Sequence, residues 1–477
     1  SRGLGDVYKR QMIMRLVNVA YRCGLGETRR SANDVTLWDH SFSVATLYKT
    51  SLATFLLHNS LDIDHLRWRI LRVNFDVLAL YAKAVKIGDL LGYQRAVDEA
   101  CEAVKKLVEE EYPLGNEIYR DSTGIYFTFP DLDLPADLAQ EIRRCVEAVE
   151  MELAPCIAIT VGDGNTASEQ LKGILGKARR EALQALAQPF DSQNLSACWQ
   201  QQWTTVGAGK WELCPVCRLR PKKEDADVCE TCEKRRMGRL QLWLEVLKST
   251  SQPQPTIWID EVADANGRLA LLVGKFGLED WLSGDLVQTM LVKVEQNNPS
   301  GCTPKNPSPA RLRRVWETTR TFWQEVLPTD PERNLADSLV AQKVGQSGPR
   351  LEISANPSGL KLSPSQTYEL VVNGIRLSVV WDDKNQRFIT CDNLDYLAKP
   401  DQLGRPVKDA LQAKKGRALT LEEPVGYGAK NKVLGTVTID HVKELQDRYI
   451  PAISILAEPQ IFMALVPADK ALEVVKA

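Results

Sequence analysis

Four cysteines, Cys214, Cys217, Cys229 and Cys232, carry the strongest chemical signal in the chain, with the spacing C-x2-C-x11-C-x2-C. Each CxxC bends the backbone so that two thiolates reach one ion, and two such pairs complete the tetrahedron that zinc takes in structural sites. The loop between the pairs, RLRPKKEDADV, is polar with one proline and could not fold alone. The ion would supply its folding energy, about 10–16 kcal/mol for sites of this kind. Four thiolates leave no open position for a substrate, so a structural zinc is expected rather than a catalytic one. The competing chemistry is a redox pair or free thiols. A basic rim surrounds the motif (Arg218, Arg220, Lys222, Lys223, Lys234, Arg235, Arg236 and Arg239), offset by Glu224, Asp225 and Asp227. It fits contact with RNA or protein as well as it fits a solvated surface.

The segment KNPSPARLRRVWETTR (305–320) joins Arg311, Arg313 and Arg314 to Trp316, with Trp323 beyond it. Arginines beside aromatics can hold single-stranded nucleic acid. The same pattern also suits an amphipathic helix that packs Val315, Trp316 and Phe322 inward. No Ser/His/Asp arrangement, HExxH or GxxxxGK[ST] occurs, and Gly124 and Gly162-Asp163-Gly164-Asn165 read as turns rather than phosphate loops.

The whole chain sets the frame for these sites. Its 477 residues suggest two to four domains. A net charge of −2 gives no global signal for nucleic acid, so any such binding must use local patches. No apolar run is long enough to span a membrane and no secretory signal opens the sequence. Seven of the eleven cysteines stand singly, as reduced thiols in a cytoplasmic protein would. The first eleven residues, SRGLGDVYKRQ, read as an extraneous leader. The final ADKALEVVKA starts a helix that lacks a cap, so a fragment is expected.

Between these ends the patterning predicts an α+β protein. Residues 12–65 form a helical segment. The strand 66–75, a helical region 77–111, a hairpin around Asp121-Ser122-Thr123-Gly124, a helix 136–153 and a strand 156–161 follow the ferredoxin-like split βαβ order. That order gives an antiparallel sheet with helices on one face. The first such domain is placed at 66–200, and the cysteine module with its helix at 201–250. A linker (251–255) leads to a second series at 256–477, with strands from Thr256 and over Leu269 to Phe276, a helix from about Leu278 and a final hairpin. Within it, residues 297–310 read as a Pro/Asn/Ser loop, and a strand-rich insertion occupies about 297–445. Its final hairpin turns at Ala457-Glu458-Pro459-Gln460.

This layout resembles the large subunit of type III CRISPR–Cas effector complexes, in which two palm (nucleotidyl cyclase-like) domains flank a four-cysteine zinc knuckle. NDVTLWDHSFSVATLYKTSLA (33–53), LRWRILRVNFD (66–76) and ISILAEPQIFMALVPADKALEVV (453–475) carry the likeness, which covers roughly residues 16–295 and 450–477. The order of elements is its specific part, because the cysteine motif alone is generic. The resemblance implies crRNA and other effector subunits as partners, target RNA reached indirectly, and a role in antiviral defence.

The departures from that family are as informative. Cyclase-active members carry a GGDD turn whose carboxylates hold metal ions, and two divalent ions need several oxygen ligands. Here the turn of the second domain offers only Glu458, and Lys275 stands where an aspartate is expected. The first turn, Asp121 to Gly124, is not GGDD either. Asp76 and Asp121 remain as a candidate residual pair for Mg2+ or a nucleotide. That family's large subunit also carries an N-terminal HD nuclease domain and a C-terminal helical domain; the four histidines here include no His-Asp pair, so a fragment lacking both is expected. The combination resembles the III-C-like branch with degenerate palms, which implies a non-catalytic scaffold. An active nucleotidyl cyclase using Asp76, Asp121 or Glu458, and a stand-alone zinc-containing RNA-binding protein, are the alternatives.

Overall fold

The structure, a computed structural model, describes residues 12–14, 16–21, 35–59, 62, 66–164, 166, 171, 173–187, 192–204, 206–247, 254–255, 268–277, 292–295, 298–304, 309–328, 335–357, 359–363, 366–424, 430–445, 448–459 and 461–477. The leader expected at 1–11, the strand expected from 256, the helix expected from 278 and Gln460 lie outside the described residues. The chain is mixed α+β and divides into two compact units. One comprises residues 1–80, 96–191 and 276–320, and the other residues 81–95, 192–275 and 321–477. This division cuts across the expected segments: residues 276–320 group with the first unit and 81–95 with the second.

In the first unit, helix α1 (Leu37–His58) opens with a capping box. The Thr36 hydroxyl accepts from Asp39 N, and the Asp39 carboxylate accepts from Thr36 N at 3.1 Å. Strand β1 (Arg69–Asn74) leads through a short helix, Val77–Tyr81, to α2 (Ile87–Lys106), of which the part up to residue 95 groups with the second unit, and a π-helical turn, Leu107–Glu111. Lys49 braces that turn from α1, its ammonium donating to Glu109 O, Gly115 O and Asn116 Oδ1, each at 2.8 Å. Strands β2 (Glu117–Asp121) and β3 (Gly124–Phe129), helix α3 (Ala136–Glu150), strand β4 (Cys156–Val161) and helix α4 (Ile174–Leu186) follow. The sheet runs β2-β3-β1-β4, antiparallel throughout.

One expectation for this sheet needs correcting, because both of its faces are buried. Ile70, Tyr119 and Tyr126 pack on Ile174, Ala178 and Ala182 of α4 and on Leu312 and Trp316 of the helix Pro309–Val326. The intervening Leu71, Val73, Ile125 and Phe127 are also fully buried. Every residue of β3 (GIYFTF) is buried, as double burial requires, whereas one-sided sheets alternate. A second correction concerns the loop expected at 297–310. Residues Asn298–Pro304 pair antiparallel with Val292–Glu295 instead.

In the second unit, a two-stranded hairpin of β5 (Trp211–Leu213) and β6 (Pro221–Lys223) precedes helix α5 (Glu230–Val246). The linker residues Gln254–Pro255 pair with Tyr449–Ile450 and so are not a free spacer. Strand β7 (Leu269–Lys275) joins the hairpin of β14 (Ile453–Glu458) and β15 (Ile461–Pro467) in the order β14-β15-β7. Between β7 and β14 in sequence lies the strand-rich region. It forms a closed antiparallel barrel of β8 (Leu351–Asn356), β9 (Thr367–Val372), β10 (Ile375–Asp382), β11 (Arg387–Thr390), β12 (Ala418–Glu423) and β13 (Lys432–Glu444), in the order β8-β11-β10-β9-β12-β13. Its interior is aliphatic with Tyr368, Trp381 and Phe388, plugged by Leu397, Val407, Ala410 and Leu411. Closure leaves no exposed sheet edge.

Candidate metal centre

The hairpin turn between β5 and β6 supplies two of the cysteines. Cys214 N donates to Arg220 O at 3.0 Å and Arg218 N to Cys214 O at 3.0 Å, with Arg218 in the left-handed region at φ 54°. This tight loop turns the Cys214 and Cys217 side chains to one side. Cys229 caps α5 and Cys232 lies in its first turn, so the helix start presents the other pair. The Cys214–Cys232 and Cys217–Cys229 sulfurs lie 4.0 and 3.8 Å apart, and all four sulfurs fall within 4.8 Å of one another. All four residues are buried.

These distances fit a shared ion. Tetrahedral ligands about 2.3 Å from a zinc ion sit about 3.8 Å from one another, whereas a disulfide would require about 2.05 Å. Two backbone amides aim at the sulfurs, Arg220 N at Cys217 Sγ (3.4 Å) and Cys229 N at Cys214 Sγ (3.3 Å), which favours the thiolate form. The four cysteines can therefore hold one metal ion such as zinc, and no other cluster of three or more such ligands occurs among the described residues. No family model matches the chain, and no curated protein matches it.

Helix α5 is fixed from outside the motif by a buried ion pair. Arg236 donates in fork geometry to Asp89, with Nε to Oδ1 at 2.6 Å and Nη2 to Oδ2 at 2.8 Å. Asp89 also accepts from Val85 N and Lys86 N at the start of α2. Arg235 lies over the Tyr93 ring at 5.1 Å, and Trp203 Nε1 donates to Leu219 O at 3.0 Å inside the loop. Much of the basic rim is accordingly spoken for. Arg220 and Arg236 are buried, Lys222 pairs with Glu212 at 2.6 Å and Lys234 with Glu230 at 2.6 Å. Arg218 and Lys223 remain exposed. The side chain of Arg239 lies outside the described residues.

The two hairpin turns are built differently. In the first, Ser122 and Thr123 form a two-residue turn, and Gly124 (φ 125°) pairs with both Asp121 and Asn74. A Cβ on Gly124 would stand 2.2 Å from Val73 O, so only glycine fits. The Asp121 carboxylate is buried and already bonded. It accepts from Arg179 Nε at 2.6 Å, Tyr119 OH at 3.1 Å and Thr123 N at 2.8 Å. Asp76 caps the short helix instead, accepting from Ala79 N at 2.8 Å. In the second turn Glu458 pairs with Ile461, and its carboxylate accepts from Tyr81 OH at 3.4 Å. Lys275 pairs with Ile461 from the other side. Next to it, Gly274 makes room for Trp323, which stacks on Phe462 with centroids 4.7 Å apart. A Cβ on Gly274 would lie 2.8 Å from the Trp323 ring.

Of the three arginines expected to contact nucleic acid, Arg311 and Arg313 need correction, while Arg314 is half-exposed. Arg311 and Arg313 are 5% and 9% exposed. Arg313 lies 3.8 Å over the Phe42 ring, donates to Glu117 O at 3.2 Å and pairs with Glu317. Arg314 reaches the Asp39 carboxylate at 3.5 Å. Packing therefore turns this helix inward, as Leu312 and Trp316 require, and only Phe322 of the expected apolar face points out. No local spacing marks Asp89, Arg179 or Tyr81 as partners, because each lies far along the chain from the residue it holds.

Proposed function

We propose that this chain is a non-catalytic structural subunit of the type III CRISPR large-subunit kind, with the knuckle holding a structural zinc ion. The observation that carries the reading is the repeated strand order, β2-β3-β1 in the first sheet and β14-β15-β7 in the second, with the cysteine module between them in sequence. Both hairpin tips lack the paired carboxylates that metal-dependent nucleotide chemistry needs. The single acid at each tip, Asp121 and Glu458, is engaged by neighbouring side chains. Four thiolates complete zinc's coordination shell, so the ion would fold the knuckle and present no site for substrate. In this reading the two sheets are palm-like domains that serve as a platform for crRNA and neighbouring subunits in a cytoplasmic antiviral complex.

Incubating the purified chain with ATP and Mg2+ or Mn2+ tests the reading. No oligoadenylate or cyclic nucleotide should form, and robust product would overturn it in favour of a cyclase. Co-expression with the proteins encoded beside it should yield a complex that contains crRNA. Salt-sensitive RNA binding by the isolated chain, without any such complex, would favour a stand-alone RNA-binding protein.

A further inference from the structure

We infer that the outward face of α1 is a protein–protein interface, and that in the isolated chain a second copy covers it. The helix is inverted relative to a surface helix, which turns its charges to water and its apolar stripe to the core. Here Asp39, Thr46, Thr50 and Ser51 are buried, and Lys49 turns its ammonium onto Glu109 O, Gly115 O and Asn116 Oδ1. Thr50 bonds Thr128 at 2.9 Å and Ser51 accepts from Trp68 Nε1 at 3.0 Å. The exposed face holds Val44, Tyr48, Leu52, Phe55, Leu56 and Leu57 at 40% to 71% exposure. It carries no Asp, Glu, Lys or Arg.

Area and charge together select the occupant. These side chains present on the order of 700 Å², above the roughly 300–600 Å² of the largest patch on a typical monomer. That is close to the roughly 800 Å² each partner gives to a standard interface. A face without fixed charge needs an uncharged counterpart, because a lone charge buried against it would go unpaired. A second α1 meets that requirement by symmetry, each copy offering the same patch to the other. Membrane-surface helices keep basic residues on a water-facing side, and nucleic acid needs exposed cations. This face has neither.

Sedimentation velocity of the full, metal-loaded chain over roughly 1–50 µM, a range that brackets interfaces of this size, should show a dimer. The double variant Tyr48→Glu/Leu52→Glu should be a monomer with unchanged circular dichroism and metal content. Leu472→Glu, exposed elsewhere, should leave the dimer intact. A wild-type chain that stays monomeric throughout, or a dimer that survives the double variant, overturns the inference. If the double variant loses its circular-dichroism signal, Val44→Ser decides on the same readout by weakening the dimer or leaving it unchanged. Binding of a monomeric wild-type chain to anionic phospholipid vesicles, lost in the variant, would assign the face to lipid and also overturn it.

Discussion

Four polar groups meet at the cysteine knuckle, and four meet at the tip of the first sheet, but the two gatherings differ in kind. At the knuckle all four are sulfurs that repel one another as thiolates, so they need a cation among them. At the sheet tip an acceptor, Asp121, meets three donors in Arg179, Tyr119 and Thr123. That set closes on itself and needs no ion. Convergence of ionisable residues thus does not by itself mark a metal site; the sign of what converges decides. The mixed set tells against the pairing of Asp76 with Asp121, since each carboxylate already has a local task.

The largest effect should come from breaking the like-charged gathering. Cys217→Ser, or a strong chelator, should release the metal and unfold the knuckle, which forfeits stabilisation of about 10–16 kcal/mol for that module. Metal content and thermal melts read this out, and a variant that keeps both would sink the structural-zinc reading. Mixed-sign gatherings should respond to pH instead. Glu117 on β2 is fully buried, which alone would raise its pKa, but Arg120 and Lys105 outweigh burial and bring it to about 2. A depressed carboxylate stabilises the fold fully above its unfolded value near 4.5, and that stability is lost as pH falls toward 2. The loss should total roughly 3 kcal/mol, seen as a falling denaturation midpoint between those pH values. Glu117→Gln should flatten the profile.

Smaller still, Asp121→Asn should cost about 1–3 kcal/mol, because Arg179 loses its counter-ion while Thr123 keeps an acceptor. Glu458→Gln should change stability by less than about 0.5 kcal/mol, since its bond to Tyr81 is long and an amide oxygen can still accept it. If Glu458→Gln proved the more damaging of the two, the contrast between the two tips would have to be reversed.

The sequence showed the cysteine module outright, because four ligands within nineteen positions of chain are a local feature. The strand, hairpin and helix order of the first sheet was equally legible, down to the turn at Asp121 to Gly124. What stayed hidden was set by distant partners. The burial of Arg311 and Arg313 depends on Phe42 and Glu117, which no spacing within the helix announces. Part of the cover on one face of the first sheet comes from Leu312 and Trp316, which return to it from far along the chain. The barrel was visible only as a wealth of strands, since closure depends on which strand ends meet, here β8 with β13.

The fork between Arg236 and Asp89 also bears on how the chain reaches this fold. The two residues are 147 positions apart. Joining ends across so long a stretch carries an entropic penalty of about 4 kcal/mol, which local folding must first offset. The knuckle, whose ligands are near neighbours, can assemble early and hold α5 rigid, so that Arg236 arrives already oriented. Metal supply would then govern the rate at which this long-range contact is made as well as its final strength, and a metal-starved chain would fall behind at this step.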